Sequence, residues 1–311
     1  MTKTGTVSGD NYGIQTVHDQ VTFAQGISGN NSGANSWYVD STVSATGDGK
    51  TWAKAYLTIA EAVAAASAGD YIYLKGTFTE AVIIAIAGLT FIGAGPTPND
   101  NIWMESAAND DLATVSVSGC RFYNIRFRIP TTGGRGIVLS GADYTVIQGC
   151  IFQGRGGSHH AVTEDGSSDN CKIIDCKFMY NNTATDGAAI FGHTYTADVV
   201  GSGWLIKDNI FTSNLRHIVM RARQSLFIGN VFQEKGLDAS GETALTATVK
   251  IDLSGTLSKW NVVTKNTMLG DYSITGGYTA GTEDNWFGNT ADDTGETEVS
   301  TDGVTTAVPA A

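Results

Sequence analysis

The chain has 311 residues, with 38 Gly, only 4 Pro and 16% charged residues, against an ordinary charged fraction of about 25%. Nineteen basic and 31 acidic residues give a net charge of −12, which disfavours a nucleic-acid partner through long-range repulsion. No window approaches the roughly 20 consecutive apolar residues of a membrane-crossing helix, so no membrane partner is expected, and 4 Cys are too few for a disulfide scaffold.

Residues 1–36 are polar and rich in Gly, Asn, Ser and Thr, with two apolar islands, Ile14–Val17 and Val21–Phe23. They read as an arm that packs on a partner or as a flexible leader. Ile14, Val17, Val21 and Phe23 are its candidate anchors. The segment has no basic stretch followed by an apolar core, so no ordinary secretion signal is expected.

A helix is predicted over about residues 55–68. There Leu57, Ile59, Ala60, Val63, Ala64 and Ala66 recur at helical spacing before Gly69. Tyr71–Leu74, Ala81–Ile86 and Leu89–Ile92 then read as short strands between Gly-containing turns.

From there the chain repeats one phrase: an apolar residue, two others, Cys or Asn, one other, then Phe. Clear copies run Ile147–Phe152, Ile173–Phe178, Ile206–Phe211 and Phe227–Phe232, and Val263–Met268 follows with Met for Phe. Phe122–Phe127 and Ile86–Phe91 fit with an apolar middle slot, and Trp286–Asn289 ends the series. The middle slots fall at 89, 125, 150, 176, 209, 230, 266 and 289. Such irregular spacing around a fixed short phrase suits a β-solenoid whose loops vary in length. Phe91, Phe127, Phe152, Phe178, Phe211 and Phe232 are expected to stack inside it, and the Asn residues to form a hydrogen-bonded ladder at a turn.

The segment Gly47–Trp52, the Ala-rich helix, Gly69–Glu80 and Leu89–Gly95 together resemble the start of a right-handed parallel β-helix of the pectate-lyase-like superfamily. The resemblance spans about residues 37–290. It implies an all-β, single-stranded parallel β-helix, with the helix covering the N-terminal end of the coil stack, and leaves 291–311 as a tail. Catalytic signatures of that superfamily occur only as fragments. Gly76–Glu80 resembles a pectin-methylesterase motif without its downstream partners. Arg128-Ile-Pro130 begins a pectate-lyase motif whose last Arg slot holds Gly133. Asp110-Asp111 and Gly192-His193-Thr194 stand out of their polygalacturonase context. No catalytic residue is assigned.

A lateral strip is the remaining candidate site. If Ile137, Val162, Ile190 and Ile218 are equivalent strand positions, then Arg135, His159, His160, Asp186, Arg216 and His217 lie just before them. Glu164, Asp165, His193, Arg221 and Arg223 follow, and the strip holds four of the 5 His. Imidazole, carboxylate and guanidinium groups together suit glycan hydroxyls, and a carboxylate pair would serve acid–base chemistry. No metal site or cofactor is expected. Cys150 and Cys176 share a ladder slot in adjacent coils and are expected to be reduced. Cys120 and Cys171 lie two coils apart, beyond disulfide reach.

Three function classes fit: a structural component of a tailed-bacteriophage virion, a polysaccharide lyase or hydrolase (including a depolymerising tailspike), and a cell-surface adhesin. The low-charge, Gly-rich style resembles phage spikes, fibres and decoration proteins. The first class is therefore expected, on head or tail, with assembly in the host cytoplasm. Its partners would be further copies of the chain in a trimer, capsid or tail proteins through 1–36, and surface polysaccharide.

Overall fold

The computed structural model describes residues 34–104, 110–129, 134–154, 160–181, 187–192, 201–233, 249–254, 257–269 and 278–292, with the backbone of 297–299 and 305–307. The chain divides into two compact units, Met1–Gly33 and Ala34–Ala311. The anchor candidates Ile14, Val17, Val21 and Phe23 lie outside the described residues. Ser36, expected in the arm, instead opens the first strand, Ser36–Asp40.

The second unit is a parallel coil stack with three faces. The first sheet runs from Ser36–Asp40 through Tyr71–Leu74, Thr90–Gly93, Arg121–Tyr123, Val146–Gln148, Lys172–Ile174, Leu205–Lys207, Leu226–Ile228 and Val262–Thr264 to Asn285–Phe287. The second sheet takes the strand that follows in each coil, among them Asn101–Met104, Arg126–Arg128, Ile151–Gln153, Lys177–Met179, Ile210–Thr212 and Val231–Gln233. The third sheet runs in the order Val82–Ile84, Ala113–Val115, Ile137–Leu139, His160–Glu164, Ala188–Gly192, Arg216–Val219, Val249–Asp252 and Tyr278–Thr279. In the first coil one strand, Tyr71–Thr79, serves both the first and second sheets. It turns at Gly76, whose φ is +101° and where a Cβ would stand 2.3 Å from Ser41 Oγ.

Two corners explain much of the composition. Ahead of the first sheet, Gly69, Gly88, Gly119, Tyr144, Asn170, Gly203, Gln224, Trp260 and Glu283 fall in register, all with positive φ. Ahead of the second sheet, Asn124, Gly149, Asp175, Asp208, Gly229, Lys265 and Gly288 do the same. A coil that turns twice through left-handed backbone favours Gly, Asn and Asp, which hold eleven of these sixteen points.

Inside, Phe127, Phe152, Phe178, Phe211 and Phe232 form the expected stack, each pair 4.9 Å apart with planes within 11°. Phe91 is not in it. It faces inward from the first sheet and stacks on Phe122 at 5.1 Å, while Trp103 stands over Phe127 at 5.6 Å. The middle slot of that coil is therefore Asn101, not Leu89: Ile102 pairs with Arg126, which sets Asn101 opposite Ile125. The Asn ladder forms as expected. Backbone N–H groups of Cys176, Asn209, Asn230 and Asn266 donate to Oδ1 of Asn209, Asn230, Asn266 and Asn289 at 2.9–3.0 Å.

Helix α1 is Ile59–Ala65, shorter than expected. Thr58 and Glu61 close its start in a reciprocal capping box. The Glu80 carboxylate also accepts from Ile59 N and Ala60 N at 2.7 and 3.0 Å. The helix packs on the first coil with Ile59, Ala62 and Val63 buried, whereas Leu57, ahead of the cap, is exposed. Gly69 belongs to the first corner and does not cap the helix, which ends at Ala66. Within the expected tail, Thr297–Val299 pairs antiparallel with Asn289–Asp292 and with Thr305–Ala307.

Candidate functional site

The third sheet carries the strip in the expected register. Val162 pairs with Ile137 and with Ile190, which pairs with Ile218. His160, Ala188 and Arg216 align, and Arg135 stands two residues before Ile137 as His160 does before Val162.

The surface part of the strip is an ion-pair cluster. Arg135 clamps Asp111 through Nε and Nη2 at 2.9 and 2.8 Å, and its backbone N donates to the same carboxylate at 3.0 Å. Its Nη1 reaches Asp165 of the next coil at 3.4 Å. The Asp111 hydrogen bonds, opposed by burial and helped by the Asp111 and Asp165 charges, raise the Arg135 pKa. Asp111 is not among the strip residues read from the sequence, which begin one coil later at Arg135; it stands two residues before Ala113, the partner of Ile137. The only signal was the spacing from Asp111 to Arg135, which is one coil.

Other members are drawn inward. His160 is nearly buried, stacks on Phe191 at 4.1 Å, and accepts from Ala188 N at 3.1 Å through Nδ1. His217 is fully buried against Phe211 and Phe232, 5.7 and 5.4 Å between ring centres. It occupies the register of Ala161 and Ala189, which faces the core, so it is not a surface ligand group. Glu164 is also buried, with 2% exposure, and accepts from Ser168 N at 2.9 Å. A Cβ on Gly201 would stand 2.3 Å from Glu164 Oε1, so only Gly fits beside this carboxyl. Arg216 and Arg221 are half-buried, and Arg223 Nε donates to Leu257 O at 2.9 Å. His159, Asp186 and His193 lie outside the described residues, as do Pro130 and Gly133.

Burial pushes the Glu164 pKa up to about 8, with the Ser168 hydrogen bond opposing and the Asp169 charge adding. The folded chain therefore keeps a proton that the unfolded chain releases near the ordinary carboxyl value of 4.5. Stability contributed by this group is full at low pH. It falls as pH rises from about 4.5 to about 8 and is level above that. The slope is at most about 1.4 kcal/mol per pH unit. Glu164→Gln removes this dependence: its stability gain over wild type should be smallest near pH 4 and largest at pH 9. Urea titrations across that range check it, and a gain independent of pH would contradict the assignment.

Among the described residues, no group of three or more His, Cys, Asp or Glu side chains could hold a metal ion. All four cysteines are buried and free. Burial pushes the Cys171 thiol up to about 12 and holds Cys176 well above its ordinary value, so neither is a ready nucleophile. Of the strip's two adjacent carboxyls, Glu164 is buried and Asp165 is paired with Arg135 on the surface. They do not face one space as an acid and a base. What remains at the surface is a hydrogen-bonding patch.

Comparisons with known proteins agree with the architecture. Residues 99–290 match the family model described as right handed beta helix region. No curated protein matches the sequence significantly. Among solved structures, an alginate lyase from Paenibacillus sp. str. FPU-7 is similar at 14% identity and TM-score 0.55, over 75% of this chain and 92% of that one. A pectin methylesterase from Aspergillus niger follows at 15% identity and TM-score 0.51, over 86% and 88%. A GH136 lacto-N-biosidase from Eubacterium ramulus shows 11% identity and TM-score 0.55, over 82% and 56%. At such identities the likeness is one of fold. The coil register, the interior Phe and Asn ladders and the family match together establish that this chain belongs to the right-handed parallel β-helix family.

Proposed function

We propose that this protein is a structural component of a tailed-bacteriophage virion, a head decoration or a spike- or fibre-like appendage, assembled as a homotrimer of β-helices. The observation that carries the reading is the outer face of the first sheet. Tyr38, Tyr73, Ile92, Tyr123, Ile174, Ile228 and Phe287 fall in one outward column by strand register, interrupted by Gln148, Lys207 and Thr264. In the column beside it, Tyr71, Val146, Leu205, Leu226 and Val262 are interspersed with Ser36, Thr90, Arg121, Lys172 and Asn285. Ten strands at about 4.8 Å make this face roughly 40 Å long. A long column of aromatic and aliphatic side chains of this kind is a surface a solenoid can offer to parallel neighbours. Further copies of the same chain supply a matching face, and closed cyclic symmetry uses it without leaving an open end.

The third-sheet patch of Arg135, Asp111 and Asp165, with Arg216 and Arg221, stays outside such a contact and would meet host-surface glycans. The enzymatic alternative draws on Glu164, whose protonated state is that of a general acid. Its burial and the ion pairing of Asp165 speak for the structural reading. Light scattering of the purified full chain tests the assembly. A particle of three times the 32.7 kDa chain mass is expected, reduced to monomer by Ile174→Glu with Ile228→Glu. A monomeric wild type would overturn the trimer.

A further inference from the structure

Arg126 and Arg128 project from one side of the strand Arg126–Arg128, with Phe127 between them turned into the core. Alternate residues on a strand face lie about 6.6 Å apart, close enough for two guanidinium groups to converge on one ligand atom set. The Arg126 guanidinium is held by neutral acceptors. Its Nη1 donates to Asn99 Oδ1 at 2.8 Å, and its Nη2 donates to Gln153 Oε1. An arginine only donates, so these contacts turn both amide oxygens toward the Arg126 guanidinium and leave Asn99 Nδ2 and Gln153 Nε2 as donors.

Neither arginine belongs to an ion pair among the described residues, and both Nε atoms are buried without a hydrogen-bond partner. Yet the chain carries 31 acidic residues against 19 basic ones. Elsewhere the same fold neutralises a partly buried cation: Asp111 clamps Arg135 at 2.8 Å. Here two like charges stand together on a half-buried surface. Burial and the Arg128 charge both pull Arg126 below its ordinary pKa. Side-by-side guanidinium groups cost Coulomb energy that only an anion recovers.

We propose that Arg126 and Arg128, flanked by the amides of Asn99 and Gln153, form a binding site for an oxyanion group (carboxylate, sulfate or phosphate) on the outer face of the second sheet. The planar fork of arginine matches all three groups through paired N–H donors, which a lysine does not reproduce. The site lies apart from the third-sheet strip, on the adjoining face of the coil.

The test is calorimetric titration of the purified full chain with sodium sulfate, sodium phosphate and a uronic-acid trisaccharide. Sodium chloride at matched ionic strength is the control, because nonspecific attraction is screened equally. Saturable binding of at least one of the three is expected, weakened tenfold or more in Arg128→Gln and in Arg126→Gln. Arg126→Lys should fall between them and wild type. Tightest binding of the trisaccharide identifies a sugar carboxylate as the ligand group, and tightest binding of sulfate or phosphate identifies a free anion. Arg128→Gln breaks no hydrogen bond seen here, so its urea midpoint without anion should match wild type. Should it not fold, Arg126→Lys carries the comparison. Absence of saturable binding by all three, or equal affinity in wild type and the folded variants, would overturn the proposal.

Discussion

Phe178→Ala should destabilise the protein by about 3–5 kcal/mol. Phe178 is fully buried and stacked between Phe152 and Phe211, 4.9 Å from each with planes within 8°. Its neighbours cannot close the gap, because the strands Ile151–Gln153 and Ile210–Thr212 are held in register with Lys177–Met179 by their own ladders. The removed ring therefore leaves a cavity at mid-stack. Each coil of a solenoid contacts chiefly its neighbours, so the damage also uncouples the two halves. Urea unfolding followed by circular dichroism should show a lower midpoint and a broader transition. A loss under about 1 kcal/mol, ordinary for a surface substitution, would mean the ring is not packed as described.

Asn230→Ala should cost about 4 kcal/mol, although the residue is polar and lies at a turn. Asn230 is fully buried. Its Oδ1 accepts from Asn209 N and Nδ2, both at 3.0 Å, and its Nδ2 donates to Ile206 O and Asn266 Oδ1, both at 2.9 Å. Alanine removes all four bonds to the two flanking coils and leaves Asn209 N without its acceptor, and a buried group left unpaired costs about 1–3 kcal/mol. Asn230→Asp should fare no better, since it loses the donor and buries a charge. Lys177→Ala, at an exposed position on the second sheet, is the control and should stay within about 0.5 kcal/mol of wild type. A variant at Asn230 as stable as that control would show the ladder to be incidental.

The fold was legible because the interior repeats one chemistry in every coil: an inward apolar residue, an amide or thiol at a corner, then an inward aromatic. The misplacement of Phe91 has a physical reason in the same repetition. Gly88-Leu89-Thr90-Phe91 at the first corner and Asn124-Ile125-Arg126-Phe127 at the second are the same device: a left-handed residue, a buried apolar slot, one polar residue and a buried ring. A phrase that suits two corners cannot say which corner it marks. Cys120 and Cys171 show the same ambiguity, since they occupy the first-corner slot five residues ahead of the second. The first-corner ladder, in which Ser225 N donates to Asn261 Oδ1 and Asn261 N to Asp284 Oδ1 at 3.1 and 2.9 Å, was not anticipated, because Ser, Asn and Asp fill its slots in turn.

The strip was legible in register but not in orientation. Alternation predicts opposite faces for neighbouring strand residues, yet both Ala161 and Val162 belong to the core. Every residue of the strand His160–Glu164 is buried, so alternation does not show whether His217 or Arg216 is the one that faces the core. Pairing was equally hidden. Glu164 and Asp165 are adjacent carboxyls in the sequence, and only the coil-to-coil approach of Arg135 to Asp165 and the local bond from Ser168 N to Glu164 separate their roles.

Turnover measures most directly whether the third-sheet carboxyls serve the fold and its surface contacts or a reaction. Purified wild-type protein incubated with alginate, polygalacturonate and methyl-esterified pectin is predicted to release no reducing or unsaturated ends above a buffer control, from pH 5 to pH 9. Release of such ends by wild type that disappears in Glu164→Gln, Asp165→Asn or Asp186→Asn would contradict the structural account and place a catalytic acid on this strip.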